Sequence, residues 1–218
     1  MSQISRSLDE RLNRANTAIV NAMEDPEVQN ALTPFGYTPE RMQQGRDLLE
    51  YAKGMHLKQK SEYGDQFAAT EALDAAFDAA DKTLAKWRRV AQVALEGDTN
   101  ACVTLGVHTR RKRTMAAWLT QATQFYTHAL ANASVLTSLA QYGLTQEKLE
   151  AGKAQADGVE TAWLAQKKEM GEAQQATKVR DAAMEELEDW LHPFIKIARV
   201  ALEETPQYME KLGILERS

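Results

Sequence analysis

One cysteine, Cys102, in 218 residues leaves no internal disulfide and no cysteine-built zinc site. Four histidines limit histidine-based metal centres. The chain also lacks the Glu-x-x-His pairs that di-iron bundles carry on their core helices, the nearest spacing being Asp189 to His192. Eleven glycines and five prolines are too few for an all-β protein with many tight turns. No apolar run exceeds a few residues, so no membrane span is expected. The opening stretch MSQISRSLDERLNR has no apolar core of the kind a secretory leader needs. Walker, GxGxxG and GxSxG motifs are absent as well. These absences point to a soluble, cytoplasmic, non-catalytic chain with no metal and no cofactor. A net charge of −5 gives no global attraction to nucleic acid or to an anionic membrane, so nucleic acid is disfavoured as a partner.

What is present is alanine, glutamine and glutamate in helical periodicity, and a repeat. Shifting the sequence by 107 residues lays Leu32–Glu96 on Leu139–Glu203 without a gap, with about 21 identities in about 65 positions. The matches include turn residues as well as alanines: Gly36/Gly143, Thr38/Thr145, Gly45/Gly152, Gly64/Gly171 and the run VALE at Val93 and Val200. Leu105-Gly106 matches Leu212-Gly213 at the same offset. The reading is an all-α protein of two tandem copies of a ~107-residue long-helix repeat, forming antiparallel helical bundles. Copy one is 1–107 and copy two 108–218, the latter ending with the start of a third copy. Whether the copies share one core or form two bundles is not set by pattern.

Within copy one, Leu8, Leu12, Ala15, Ile19 and Ala22 form one apolar stripe, matched by Met115, Leu119, Ala122, Tyr126 and Ala129. Asp25-Pro26 ends this helix. Copy two has no proline there, which predicts helix through to Gln141. Gly36 and Gly143 are placed as left-handed helix ends, followed by an apolar residue folded back on the last turn and a threonine cap. Pro39 suits a first helical position, and Glu40 and Glu147 the positive end of the helix dipole. A second helix carries the seam Met42, Gly45, Leu49, Ala52, His56, Gln59 and Tyr63. Gly64 and Gly171 are expected to bend the chain into a third helix, with one continuous helix of nearly 60 residues as the alternative. The third stripe runs Ala69, Leu73, Ala76, Ala80, Leu84, Trp87, Ala91, Ala94.

Two groups of residues are candidate sites. Pro193 inside the third helix of copy two removes a donor and should kink the helix near Asp189. That would open a pocket for a small apolar or aromatic ligand at Trp163, Trp190, His192 and Phe194. The run Arg110, Arg111, Lys112, Arg113 is the one dense basic cluster and could hold a phosphate, including one of nucleic acid, or form a solvated helix start. His56 reads as a core or boundary histidine and Cys102 as a small buried residue. With no catalytic constellation, the leading expectation is a non-catalytic helical scaffold or protein-interaction protein, with a protein partner or self-association. The apolar-ligand binder and the phosphate binder are the alternatives.

Overall fold

The computed structural model describes residues 7–214. Every regular element among them is helical: α1 (Leu8–Glu24), α2 (Pro26–Leu32), α3 (Pro39–Ala94), α4 (Thr99–Thr104), α5 (Met115–Ala131), α6 (Ala133–Gln141), α7 (Gln146–Ala201) and α8 (Pro206–Lys211), with a 3₁₀ turn at Thr33–Phe35. No described helix is long and apolar enough to cross a membrane. The helices α5, α7 and α8 begin and end 107 residues after α1, α3 and α4.

The helix ends show why the chain divides as it does. Ser7 accepts from the Glu10 amide at 3.2 Å while Glu10 accepts from the Ser7 amide at 2.8 Å, a reciprocal cap on α1. Asp25 accepts from the amides of Glu27 and Val28 at 3.0 and 3.4 Å and so starts α2. The expected uninterrupted helix to Gln141 is corrected at the same place in the second half. Asn132, in extended conformation, accepts from the amides of Ser134 and Val135 at 3.0 and 3.3 Å. An asparagine cap breaks the helix there as well as Asp-Pro does. Gly36 and Gly143 hold φ of 83° and 75°, and Gly106 and Gly213 hold 66° and 68°. The following residues Tyr37, Leu144, Val107 and Ile214 each return a backbone N–H to the preceding turn at 3.1–3.3 Å and are buried. Thr38 accepts from the Arg41 amide at 3.4 Å.

The expected bends at Gly64 and Gly171 do not occur, because α3 and α7 each run unbroken for 56 residues. A glycine costs a helix only about 1 kcal/mol and breaks it only where another conformation is stabilised. Neither glycine has a neighbour within 4 Å of its Cβ position. They mark a division of another kind: the chain forms two compact units, one of residues 1–63 and 172–218, the other of 64–171. These packing units divide the chain differently from the sequence boundary at 107/108, which falls inside the second of them.

Unit 1 contains α1, α2, the first part of α3, the last part of α7, and α8. Its core joins Ala15, Ile19 and Ala22 of α1 to Met42, Leu49 and Ala52 of α3, Leu187, Leu191 and Phe194 of α7, and Met209 beyond them. The α3 and α7 stretches run antiparallel: Gly45 meets Trp190, and Met55 and Lys58 line one depression with Val179 and Ala176. Unit 2 contains the rest of α3, α4, α5, α6 and the first part of α7. Its core includes Leu73, Leu84 and Ala91 of α3, Trp118, Phe125 and Tyr126 of α5, and Leu149, Ala156 and Val159 of α7. Here Lys148 of α7 stands 5.9 Å from the Trp87 ring of α3.

Candidate functional sites

The apolar side chains chosen from sequence separate. Trp163 is half-buried in unit 2, at the rim of that core. Trp190 and Phe194 belong to unit 1, four residues apart on one face of α7, with rings stacked at 5.2 Å and 22°. Tyr37 meets both edge-on, at 5.9 Å from Trp190 and 5.2 Å from Phe194. The face of Trp190 lies over Gly45, where a Cβ would stand 2.5 Å from Cζ2 and 2.7 Å from Cζ3. Phe194 is fully buried, His192 is exposed, and the helix continues through Pro193. The structure thus brings together Trp190 and Phe194 but neither Trp163 nor the His192 side chain.

Gly152 makes the matching close approach in unit 2, but to a different helix. A Cβ there would stand 2.6 Å from Cε1 and Oη of Tyr126 on α5. The Tyr126 hydroxyl is buried with no hydrogen-bond partner among the described residues, and burial pushes its pKa well above the ordinary tyrosine value.

The basic run Arg110–Arg113 forms no helix start. It lies in the exposed connection between α4 and α5, and of its four residues Arg111 alone lines the cavity between that connection, α3 and α5. That cavity, about 260 Å³, is formed in unit 2 by α3, α5 and this connection. Its main architect was not singled out from sequence. Arg88, only 9% exposed, points from α3 into the connection. Its Nη2 donates to the carbonyls of Gly106 at 2.8 Å and Thr109 at 2.6 Å, and lies 3.2 Å from Thr109 Oγ1. Gln92 donates to the Val107 carbonyl at 2.8 Å. Gln121 of α5 donates to Thr109 Oγ1 at 2.8 Å and to the Arg110 carbonyl at 3.2 Å. On the floor, Asp81 accepts from the Trp118 indole at 2.9 Å and pairs with Arg111. Arg88 was discoverable in principle: Leu84, Arg88, Ala91 and Leu95 follow four-three-four spacing and all four are buried. The sequence reading placed Trp87 and Ala94 on that stripe, and both are only half-buried.

His56 is buried in unit 1 with Nε2 3.0 Å from Asp9 Oδ1. Cys102 is buried, and burial raises its thiol pKa above the ordinary value. Its Sγ lies 3.4 Å from the Leu95 carbonyl.

Several large apolar side chains are exposed, and six of them fall in pairs 107 residues apart: Phe35 and Tyr142, Leu57 and Leu164, Val93 and Val200. Tyr142 and Val93 line a shallow depression of unit 2 together with Val90, Lys86 and Arg89. Compared with known proteins, the chain matches no family model, no curated protein and no solved structure.

Proposed function

We propose that this chain is a non-catalytic, cytoplasmic helical scaffold acting through protein contacts, built from two copies of a unit of about 107 residues. The observation that carries the interaction reading is the recurrence of exposed apolar side chains at 35/142, 57/164 and 93/200. A single exposed leucine needs no explanation. Apolar residues kept in water at the same place in both copies are better explained by a partner that covers them.

Four features support the duplication. The helix boundaries repeat at the same offset, and so do four of the five left-handed glycines of the described residues, Gly36/Gly143 and Gly106/Gly213. The α2 and α6 caps are Asp25 and Asn132. The carboxylate at 81/188 is held by the residue at 118/11: Asp81 by the Trp118 indole, Glu188 by the Arg11 guanidinium at 2.6 Å. On this reading each packing unit takes its α1-type helix and the first part of a long helix from one copy, and the last part of a long helix from the other.

The test is affinity capture from the native host with the wild-type chain and with Phe35→Ser, Val93→Ser, Tyr142→Ser and Val200→Ser combined. All four positions are exposed, so circular dichroism should be unchanged. A scaffold loses a specific partner on this substitution. Identical captured sets, or no captured partner with the wild type, would contradict the reading.

A further inference from the structure

We propose that the cavity over Arg88 in unit 2 is a binding site for a small phosphate-bearing molecule, held by Arg88, Arg89 and Arg111. Three guanidinium groups and the exposed His108 line this cavity against a single carboxylate, Asp81. That carboxylate is already engaged by Arg111 and the Trp118 indole, which lowers its repulsion toward an incoming anion. Arg88 is nine-tenths buried, and all of its hydrogen bonds are made by Nη2. Nη1 is left with no partner among the described residues, and Nε is buried without one.

A guanidinium fixed by backbone carbonyls on one side and open on the other is pre-organised for an oxyanion, because the fork is already ordered before the ligand arrives. Arg89, exposed one residue further along α3, engages among the described residues only the Ala85 carbonyl, through Nε at 3.2 Å, which leaves its two terminal nitrogens to close on the ligand. The volume of about 260 Å³ suits a phosphate group with a small organic portion. The site is not repeated at the 107-residue offset: residue 195, 107 positions after Arg88, is a buried isoleucine.

The test is calorimetric titration of the full chain with inorganic phosphate, then with glycerol 3-phosphate, at constant ionic strength. Trp118 fluorescence is followed in parallel. The expected result is one saturable site, with Kd raised about tenfold or more in Arg89→Gln and in Arg111→Gln, the loss expected for a charge-assisted hydrogen bond. Arg110→Gln and Arg113→Gln, in the same exposed connection but outside the cavity, should leave Kd unchanged. Tighter binding of the ester than of free phosphate identifies an organic phosphate as the ligand class, and the reverse order identifies the free anion. Absence of saturable binding by either probe would overturn the proposal. Equal weakening by all four variants would overturn it too, since it would indicate diffuse attraction to the basic connection.

Discussion

The indole of Trp190 occupies the space a side chain would need at Gly45, with Cζ2 2.5 Å from the position of a Cβ. The glycine lets α7 approach α3 closely within unit 1 and fixes the ring against which Phe194 stacks. Replacing Gly45 by alanine removes a poor helix former, which alone favours folding by about 1 kcal/mol. It also drives a methyl group into a rigid ring confined by Phe194 and Tyr37. Overpacking of this kind costs about 1–3 kcal/mol, so Gly45→Ala is expected to lower stability on balance. Gly54→Ala and Gly158→Ala, helical positions with nothing within 4 Å, should raise it by about 0.5–1 kcal/mol. Thermal melts of the three variants check the contrast.

Tyr126 and Gly152 make the equivalent close approach in unit 2, with a buried hydroxyl that has no partner among the described residues. Removing an unsatisfied buried hydroxyl is favourable, so Tyr126→Phe should stabilise the chain by about 1 kcal/mol. Gly152→Ala should destabilise it, and less so in a Tyr126→Ile background, since unit 1 carries Ile19 at the corresponding place. Denaturant titration of the double-mutant cycle gives the coupling energy directly.

Arg88 ties the α4–α5 connection to α3 through the carbonyls of Gly106 and Thr109. Arg88→Met keeps most of the side-chain volume, takes the guanidinium from the Thr109 carbonyl and leaves the Gly106 carbonyl with only the Thr109 amide and hydroxyl. The expected cost is about 2–3 kcal/mol, with faster amide hydrogen exchange in residues 105–114 than elsewhere in unit 2. Uniform exchange across unit 2 would show that the arginine does not hold the connection.

Asp25 both caps α2 and accepts from Lys211 at 2.8 Å. The Lys211 ammonium first, then the backbone amides of Val28 and Glu27, hold the Asp25 carboxyl below its ordinary value. Asp25 raises Lys211 in turn. A lowered carboxyl contributes stability above its unfolded pKa, near 4. That contribution is lost as pH falls through the folded value. A raised lysine contributes below about pH 10.4 and loses the contribution as pH rises through its folded value. In unit 2 the cap is Asn132, which does not titrate. Asp25→Asn should therefore flatten the acid limb of the stability curve, and denaturant midpoints measured from pH 3 to pH 7 follow it. The same acid limb in wild type and variant would rule this out.

Local structure was largely legible in the sequence, and long-range pairing was not. Of the stripe Leu8, Leu12, Ala15, Ile19, Ala22, the last four are buried as the spacing predicts and Leu8 is half-buried, and Gly36 and Gly143 adopt the left-handed conformation expected of them. The break at Asn132 is not legible because asparagine caps as well as aspartate but, with no proline after it, does not mark the break in the sequence. Gly64 and Gly171 were misread as bends because glycine signals permission and not instruction. Trp163 and Trp190 were grouped by type, although periodicity names the apolar face of a helix but not the element that covers it. Arg88 was passed over because a charged residue on an apolar stripe resembles an exposed neighbour until the carbonyls it serves are known.

The central claim is that each packing unit is completed by both halves of the chain. The most direct measurement is to express residues 1–113 and 114–218 separately, cut within the exposed α4–α5 connection, and follow helicity and mass in solution alone and after mixing. Neither fragment alone holds the partner stretch of long helix that closes its core, so neither should form a cooperatively folding monomer. An equimolar mixture should form a one-to-one complex with the helicity and cooperative melt of the intact chain. A fragment that folds alone as a stable monomer, indifferent to its counterpart, would contradict the account.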